Sequence, residues 1–261
     1  MTELCYKKIL EAVEEAERKA AELVLQAHGI LAESKTGKRD VVTEYDRRVQ
    51  AFLIQQLREA VPDAGFFCEE MEEQDPLDAE RLFIIDPIDG TMNFVHGFHH
   101  SCLSVAYIER GTVRVSAIYN PYVDEMFSAI RGNGAFLNGR RISVTDRGLG
   151  ESVVCFGSAP YNPELADRTF ALARKAFDLG LDVRREGAAA LDLCTVAAGR
   201  AGLYFELKLS FWDYAAGVLI VEEAGGRCCT IEGEKLPMDG SRIGILAGTP
   251  ETVTEFLNNI Q

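Results

Sequence analysis

The stretch Ile84-Ile85-Asp86-Pro87-Ile88-Asp89-Gly90-Thr91 constrains this chain more than any other. An apolar run ends in two carboxylates three residues apart, followed by a glycine and a hydroxyl. The apolar residues read as a buried strand. Pro87 stiffens the exit from it, and Gly90 permits backbone conformations that other residues resist. Asp86 and Asp89 repel each other if a turn holds them on one side. A cation between them removes that cost, and hard oxygen ligands suit Mg2+. The peptide N–H groups at Gly90 and Thr91, where they open a helix, favour an anion such as phosphate. Metal-assisted phosphate chemistry is one reading of the octapeptide. The other is a plain strand followed by an Asp-Pro-x-Asp-Gly turn.

Charge narrows the choice. Lys plus Arg number 27 against 41 Asp plus Glu, a formal net charge of -14. So acidic a chain is poorly suited to gripping a nucleic acid backbone or anionic lipid. It also repels a phosphorylated substrate unless bound cations reverse the local field. The seven cysteines are odd in number and include no C-x-x-C, which favours free thiols in a reducing cytoplasm over a disulfide framework. The first residues lack the basic-then-apolar layout of a secretion signal, and no apolar window is long enough to span a bilayer. A cytoplasmic location is the expectation.

The 261 residues suit one large domain or two lobes sharing a cleft. Residues 3–31 show helical spacing, and a second helix is expected from Thr43, with Asp46 in its first turn. The segment between them, Glu33 to Asp40, is polar and contains Gly37. Residues 102–110, 113–119 and 123–130 read as an antiparallel meander, with further tight turns at Asn133-Gly134 and Asn138-Gly139. After about residue 150 strands and helices alternate, which indicates a layered α/β arrangement. The expected units are 1–147, an α+β lobe with an antiparallel sheet, and 148–261, an α/β lobe with a mixed sheet.

Four carboxylate sites sit at strand ends or helix starts: Asp46, Glu69 with Glu70, Asp86 with Asp89, and Asp213. Singly, each also reads as a helix cap or a solvated acid; Asp213 and Asp46 both suit a helix N-terminus. Together they resemble the inositol monophosphatase family of lithium-sensitive, Mg2+-dependent sugar phosphatases. The resemblance rests on Asp86-Pro87-Ile88-Asp89-Gly90-Thr91-Met92-Asn93-Phe94 and on Trp212-Asp213-Tyr214-Ala215-Ala216-Gly217 with Glu222-Glu223-Ala224-Gly225-Gly226. Shorter matches at 40–46, 134–139, 187–192 and 204–206 come in the family's order and span nearly the whole chain.

What the resemblance implies is specific. The fold is a layered αβαβα sandwich. Glu69, Asp86 and the Ile88 carbonyl hold a first Mg2+; Asp86, Asp89 and Asp213 hold a second; a weakly bound third lies near Glu69. Thr91 and Asp46 form a hydroxyl–carboxylate pair that orients and deprotonates the attacking water, making Asp46, Glu69 and Thr91 the catalytic set. Ile88, Asp89, Gly90, Thr91 and Asp213 meet the phosphate end of the substrate. Gly187, Ala188, Ala189 and Glu206 face its polyol, since carboxylate oxygens accept from vicinal hydroxyls. As a purely structural residue, Glu206 reads as an exposed acid at a strand end. The family also implies a homodimer.

Three positions depart from the family pattern: Cys68 stands for a common glycine, Met92 for threonine or serine, and Ala188 for serine or threonine. The last two bear on substrate preference, not on the metal chemistry. The four histidines form no zinc spacing. Trp212 is expected to pack under the site, and Cys228-Cys229 to fill a strand. The expected activity is phosphomonoester hydrolysis, with inositol 1-phosphate first among substrates. Fructose-1,6-bisphosphate, histidinol phosphate and 3'-phosphoadenosine 5'-phosphate are the rivals within the superfamily. A regulatory protein that binds RNA polymerase or an antitermination complex is the rival of another class.

Overall fold

Successive side chains along residues 81–89 enter two different cores. Leu82 and Ile84 go to one, Phe83 and Ile85 to the other. Strand side chains alternate between faces, so a segment apolar at every position needs cover on both sides. Helices supply it. The computed structural model describes residues 3–37 and 39–260.

The chain begins with helix α1 (Glu3–Leu25), the hairpin β1 (Ala32–Gly37) and β2 (Asp40–Thr43), and helix α2 (Glu44–Ala60). Next come β3 (Gly65–Cys68), β4 (Arg81–Asp89) and the short helix α3 (Thr91–Val95). A meander follows through β5 (Cys102–Glu109), β6 (Thr112–Asn120), β7 (Glu125–Ile130), β8 (Gly134–Leu137) and β9 (Arg140–Ile142). The rest alternates: β10 (Val153–Phe156), α4 (Ala166–Leu179), β11 (Asp182–Arg184), α5 (Ala189–Ala197), β12 (Leu203–Leu209), α6 (Phe211–Glu223), β13 (Arg227–Thr230), β14 (Ile243–Gly248) and α7 (Pro250–Ile260).

These elements form five layers. Helices α1 and α2 cover one face of a seven-stranded sheet ordered β3-β4-β5-β6-β7-β8-β9. Helices α5 and α6 lie between that sheet and a five-stranded one ordered β11-β10-β12-β14-β13. Helices α4 and α7 cover the outer face of the second sheet. The αβαβα sandwich expected from the family is therefore observed. Strand β12 repeats the logic of β4: Tyr204 enters the central core, while Leu203 and Phe205 enter the outer one.

The structure refines several sequence expectations. Helix α1 stops at Leu25, short of residue 31. The polar segment after α1 carries residues 33–37 of β1 and Asp40 of β2, a hairpin that pairs Ala32 with Thr43. Its residues are largely exposed, so no apolar alternation marked it. The two Asn-Gly turns link β7, β8 and β9 into further hairpins. The first sheet is antiparallel except at its β3 edge, which runs parallel to β4. The cysteines are all free thiols. No described helix is long and apolar enough to cross a membrane.

Candidate active site

Asp86 and Asp89 owe their common direction to a β-bulge. On a regular strand, residues three apart point to opposite faces. Here Asp86 pairs with Ser104 and Asp89 with Cys102, so β4 carries one extra residue between them. A bulge reverses the alternation, and both aspartates line one cleft of about 430 Å3. Pro87 sits in the bulge, where a missing N–H costs no ladder bond. The strand thus runs on through Asp89, where the sequence suggested a turn. One oxygen of each carboxylate is anchored. Asp86 Oδ1 accepts from the Ile88 N–H at 3.1 Å, and Asp89 Oδ2 from the Ala190 N–H at 2.7 Å.

Gly90 closes the bulge with φ +83°, a conformation glycine adopts without strain. A Cβ at this position would lie 3.1 Å from both Ala188 Cβ and the His100 carbonyl oxygen. The close approach lets the 187–189 segment pack directly behind the loop. Asn93 secures it from α3, donating from Nδ2 to the carbonyls of His100 and Glu186, each at 2.8 Å.

Glu69 reaches the same cleft by strand pairing. Parallel β3 sets Cys68 opposite Ile85, and the Glu69 N–H continues the ladder to the Ile85 carbonyl at 3.1 Å. That places Glu69 beside Asp86. Flanking side chains fix the backbone: Gln74 brackets Cys68, and Gln50 Oε1 accepts from the Glu70 N–H at 2.9 Å. Cys68 is fully buried and fits. The Lys35 ammonium, from β1, donates to Glu69 Oε1 at 3.0 Å and also to Glu70.

Asp46 and Asp213 occupy equivalent local positions. Each is the third residue of its helix, and each carboxylate reaches back to the residue that caps it. Asp46 Oδ2 accepts from the Thr43 N–H at 2.7 Å and its hydroxyl at 2.5 Å; Asp213 Oδ2 accepts from the Ser210 N–H at 2.6 Å. This reciprocal cap holds the side chain still. The second oxygen of Asp46 lies 3.2 Å from Thr91 Oγ1, which is also 3.0 Å from the Ile88 carbonyl. The capping role and the contact with Thr91 coexist.

Glu206 is buried, not the exposed acid of the purely structural reading. It accepts from the Ala159 N–H at 2.7 Å and the Tyr204 hydroxyl at 2.8 Å, and lines the cleft. Gly157 leaves room for it: a Cβ there would overlap the carboxylate. Gly187, Ala188 and Ala189 are not part of the cleft wall. Ala188 and Ala189 are buried, and the segment supports Gly90 from behind. Trp212 lines the cleft and packs on Phe67 at 5.8 Å between ring centroids.

Electrostatics at this cleft favour a cation. Burial raises Asp86 well above the carboxylate range, and Glu69, Asp89 and Asp213 push it further. Asp213 is raised by burial and then by Glu69 and Asp89. Burial lifts Asp89 to about 7 against the pull of the Ala190 N–H. Asp46 is lifted to about 6, again by burial, with the Thr43 hydrogen bonds opposing. Lys35 is raised as well, which in a base favours the charged form: burial works to neutralise it, but Glu69 and Glu70 hold it charged. Among the described residues, no three Asp, Glu, His or Cys side chains stand in a ready-made ligating array. The acids share a wall of the cleft, each tied to an amide or to Lys35. The donors are nevertheless all oxygen, and repulsion among them is what a divalent ion relieves. The set fits a hard cation such as Mg2+.

Sequence reasoning missed Lys35, Tyr161, Lys208 and Arg242 on the cleft wall. Lys35 could have been suspected from its place in the polar segment just before the 40–46 match. The others come from the chain beyond residue 156, and no motif marked them.

The profile of the inositol monophosphatase family matches residues 6–261. The chain belongs to this family. An inositol-1-monophosphatase of Rhizobium meliloti is 37% identical over 211 residues, covering 80% of this chain and 79% of the relative. A protein of Neisseria meningitidis named putative Nus factor SuhB is 36% identical over 249 residues, covering 94% and 95%. The solved inositol monophosphatase of Anabaena has the same fold, with a TM-score of 0.86 at 32% identity over 99% of this chain and 96% of its own. Membership in the inositol monophosphatase family and the five-layer fold agree.

Proposed function

We propose that this protein is a Mg2+-dependent phosphomonoesterase acting on inositol 1-phosphate or a close sugar phosphate. The observation that carries the reading is the meeting of Glu69, Asp86, Asp89 and Asp213 in one cleft, with the Thr91–Asp46 pair beside them. Glu69, Asp86 and the Ile88 carbonyl would hold one Mg2+, and Asp86, Asp89 and Asp213 a second, with a weaker third near Glu69. Bound Mg2+ supplies an acidified water and neutralises charge on the phosphate and leaving group.

The chain's own groups do the rest. The Thr91 hydroxyl, held between Asp46 Oδ1 and the Ile88 carbonyl, is placed to orient the attacking water. Asp46, with its carboxyl near 6, takes the proton. The amides of Gly90 and Thr91 meet phosphate oxygens at the start of α3. Glu206, fixed by Ala159 and Tyr204, accepts from polyol hydroxyls. Gly187, Ala188 and Ala189 act by backing Gly90. Water is the nucleophile and no phosphoenzyme forms. A homodimer and lithium sensitivity belong to the same proposal.

The name Nus factor on relatives of nearly the same length favours a second reading, a regulatory protein in transcription. Retention of every acid of the cleft supports catalysis whether or not that role exists. A panel of phosphate esters assayed for phosphate release with and without Mg2+ separates the two. Mg2+-dependent release from a polyol or sugar phosphate supports the enzyme; release from none leaves the regulatory reading.

A further inference from the structure

Three basic side chains line the cleft with the acids: Lys35, Lys208 and Arg242. Lys35 is committed to Glu69 and Glu70. Lys208 and Arg242 have no hydrogen bond or ion pair with any described residue. The field of Lys208 reaches Glu164 at the surface, but no pair forms. With 41 acids for 27 bases, partners are plentiful. Arg18, Arg47, Arg81, Arg131 and Arg200 each sit on a carboxylate. What distinguishes Lys208 and Arg242 is their place: both are unmatched while lining a cleft rich in carboxylates.

Backbone geometry places them deliberately. Glu206 pairs with Ile245 and Leu209 with Ile243, so β12 carries an extra residue between them. Leu207 enters the outer core, whereas Leu209 enters the central one. The bulge thus interrupts the alternation, and Lys208, Leu209 and Ser210 all reach the cleft wall. Arg242 precedes Ile243 on the neighbouring strand, diagonally across from Lys208. Long side chains at such diagonal positions can meet one group. Nor do these cations serve to offset Glu206, whose field-lowering neighbour is Arg185.

We propose that Lys208 and Arg242 bind a second anionic group of the substrate. The preferred substrate is then a phosphorylated polyol or sugar that also carries a further phosphate or a carboxylate. The inference rests on the phosphomonoesterase reading and sharpens it. The reacting phosphate lies toward Asp86, Asp89 and Gly90, the hydroxyls at Glu206, and the second anion at the two cations. A substrate with two anionic groups is repelled by a chain of net charge -14, so a local pair of cations is what such selectivity needs.

The test compares inositol 1-phosphate, fructose 1,6-bisphosphate and 6-phosphogluconate at saturating Mg2+. The proteins are wild type, Lys208→Gln, Arg242→Gln and the double variant. Neither residue has a hydrogen bond to lose among the described residues, and thermal melting checks that each variant folds. In wild type, kcat/KM is expected to favour one of the two substrates with a second anionic group over inositol 1-phosphate. The double variant should lower that preference by about tenfold or more, the loss of at least one charge-assisted contact. The change should appear mainly in KM. Selectivity for the bisphosphate assigns the second group as phosphate; selectivity for the phospho-acid assigns it as carboxylate. Hydrolysis of inositol 1-phosphate with no such preference, or a preference unchanged in the double variant, overturns this inference and leaves the phosphatase reading standing. Release from no ester overturns both.

Discussion

Asp89 is the residue on which most of the site converges. Its carboxylate holds the Ala190 N–H, receives a weak contact from the Cys102 thiol at 3.8 Å, and lies among the other acids. Asp89→Asn removes a charge but little volume, so the fold should persist. Phosphate release should fall on the order of a hundredfold or more, since the electrostatic environment of the reaction is lost. Near-normal release would remove Asp89 from the proposed ligands. Thr91→Ala probes a different function. It should lower kcat by about 10²–10⁴-fold, the range for proton-transfer groups, and shift the Mg2+ midpoint far less. Equal losses would mean that the hydroxyl organises the acids. Both residues were legible in the sequence because acids, glycine and hydroxyl fall within one short segment. Lys35 was not. Its partnership with Glu69 and Glu70 spans 34 and 35 residues and exists only once β1 folds back against the cleft.

At the scale of elements, two bulges decide what the cleft contains. The one in β4 turns a spacing of three into a shared direction, and the one in β12 brings Leu209 to the same wall as Glu206 and Lys208. Spacing in sequence cannot show either, because an extra residue reverses alternation without changing composition. Gly90 shows the cost of closing such a loop. Gly90→Ala combines a positive φ with contacts at 3.1 Å, so a loss of about 1–3 kcal/mol is expected. That is a fall of roughly 2–4 °C in Tm per kcal/mol for a chain of this size. An unchanged Tm would show that the loop relaxes freely. Helix α1 offers the opposite case. Glu17 is fully buried with neither carboxylate oxygen hydrogen-bonded. Glu17→Leu should stabilise the protein by about 1–3 kcal/mol, read as a higher Tm at pH 7. The apolar stripe of α1 predicted a core-facing helix. It gave no reason for an acid on the buried side, and none of the described residues hydrogen-bonds it.

The molecule as a whole sets acids against burial, with the apolar cores of the described residues packed around the acidic cleft. The five layers were readable because strands and helices alternate after residue 150 and because the family matches run in order. The hairpin of β1 and β2 was not, since little of its surface is buried. The raised carboxyls give a stability profile with a definite sign. A carboxyl raised in the folded state keeps a proton that the unfolded chain has released. Its contribution is therefore full below the ordinary carboxylate range and is lost as pH rises through the folded value. For protein stripped of divalent ions, Tm should fall between about pH 5 and pH 8, through the values near 6 for Asp46 and 7 for Asp89. Added Mg2+ should restore Tm most at the alkaline end, where the ligands are charged. A Tm that rises across this range without metal would contradict the electrostatic account. The most direct measurement is a crystal soaked with Mn2+ and inorganic phosphate, with anomalous scattering used to locate the metal. Peaks in contact with the carboxylates of Glu69, Asp86, Asp89 and Asp213, with Lys35 displaced from Glu69, are the predicted result. Crystals of active pH and full soak that show no peak among these acids would contradict it.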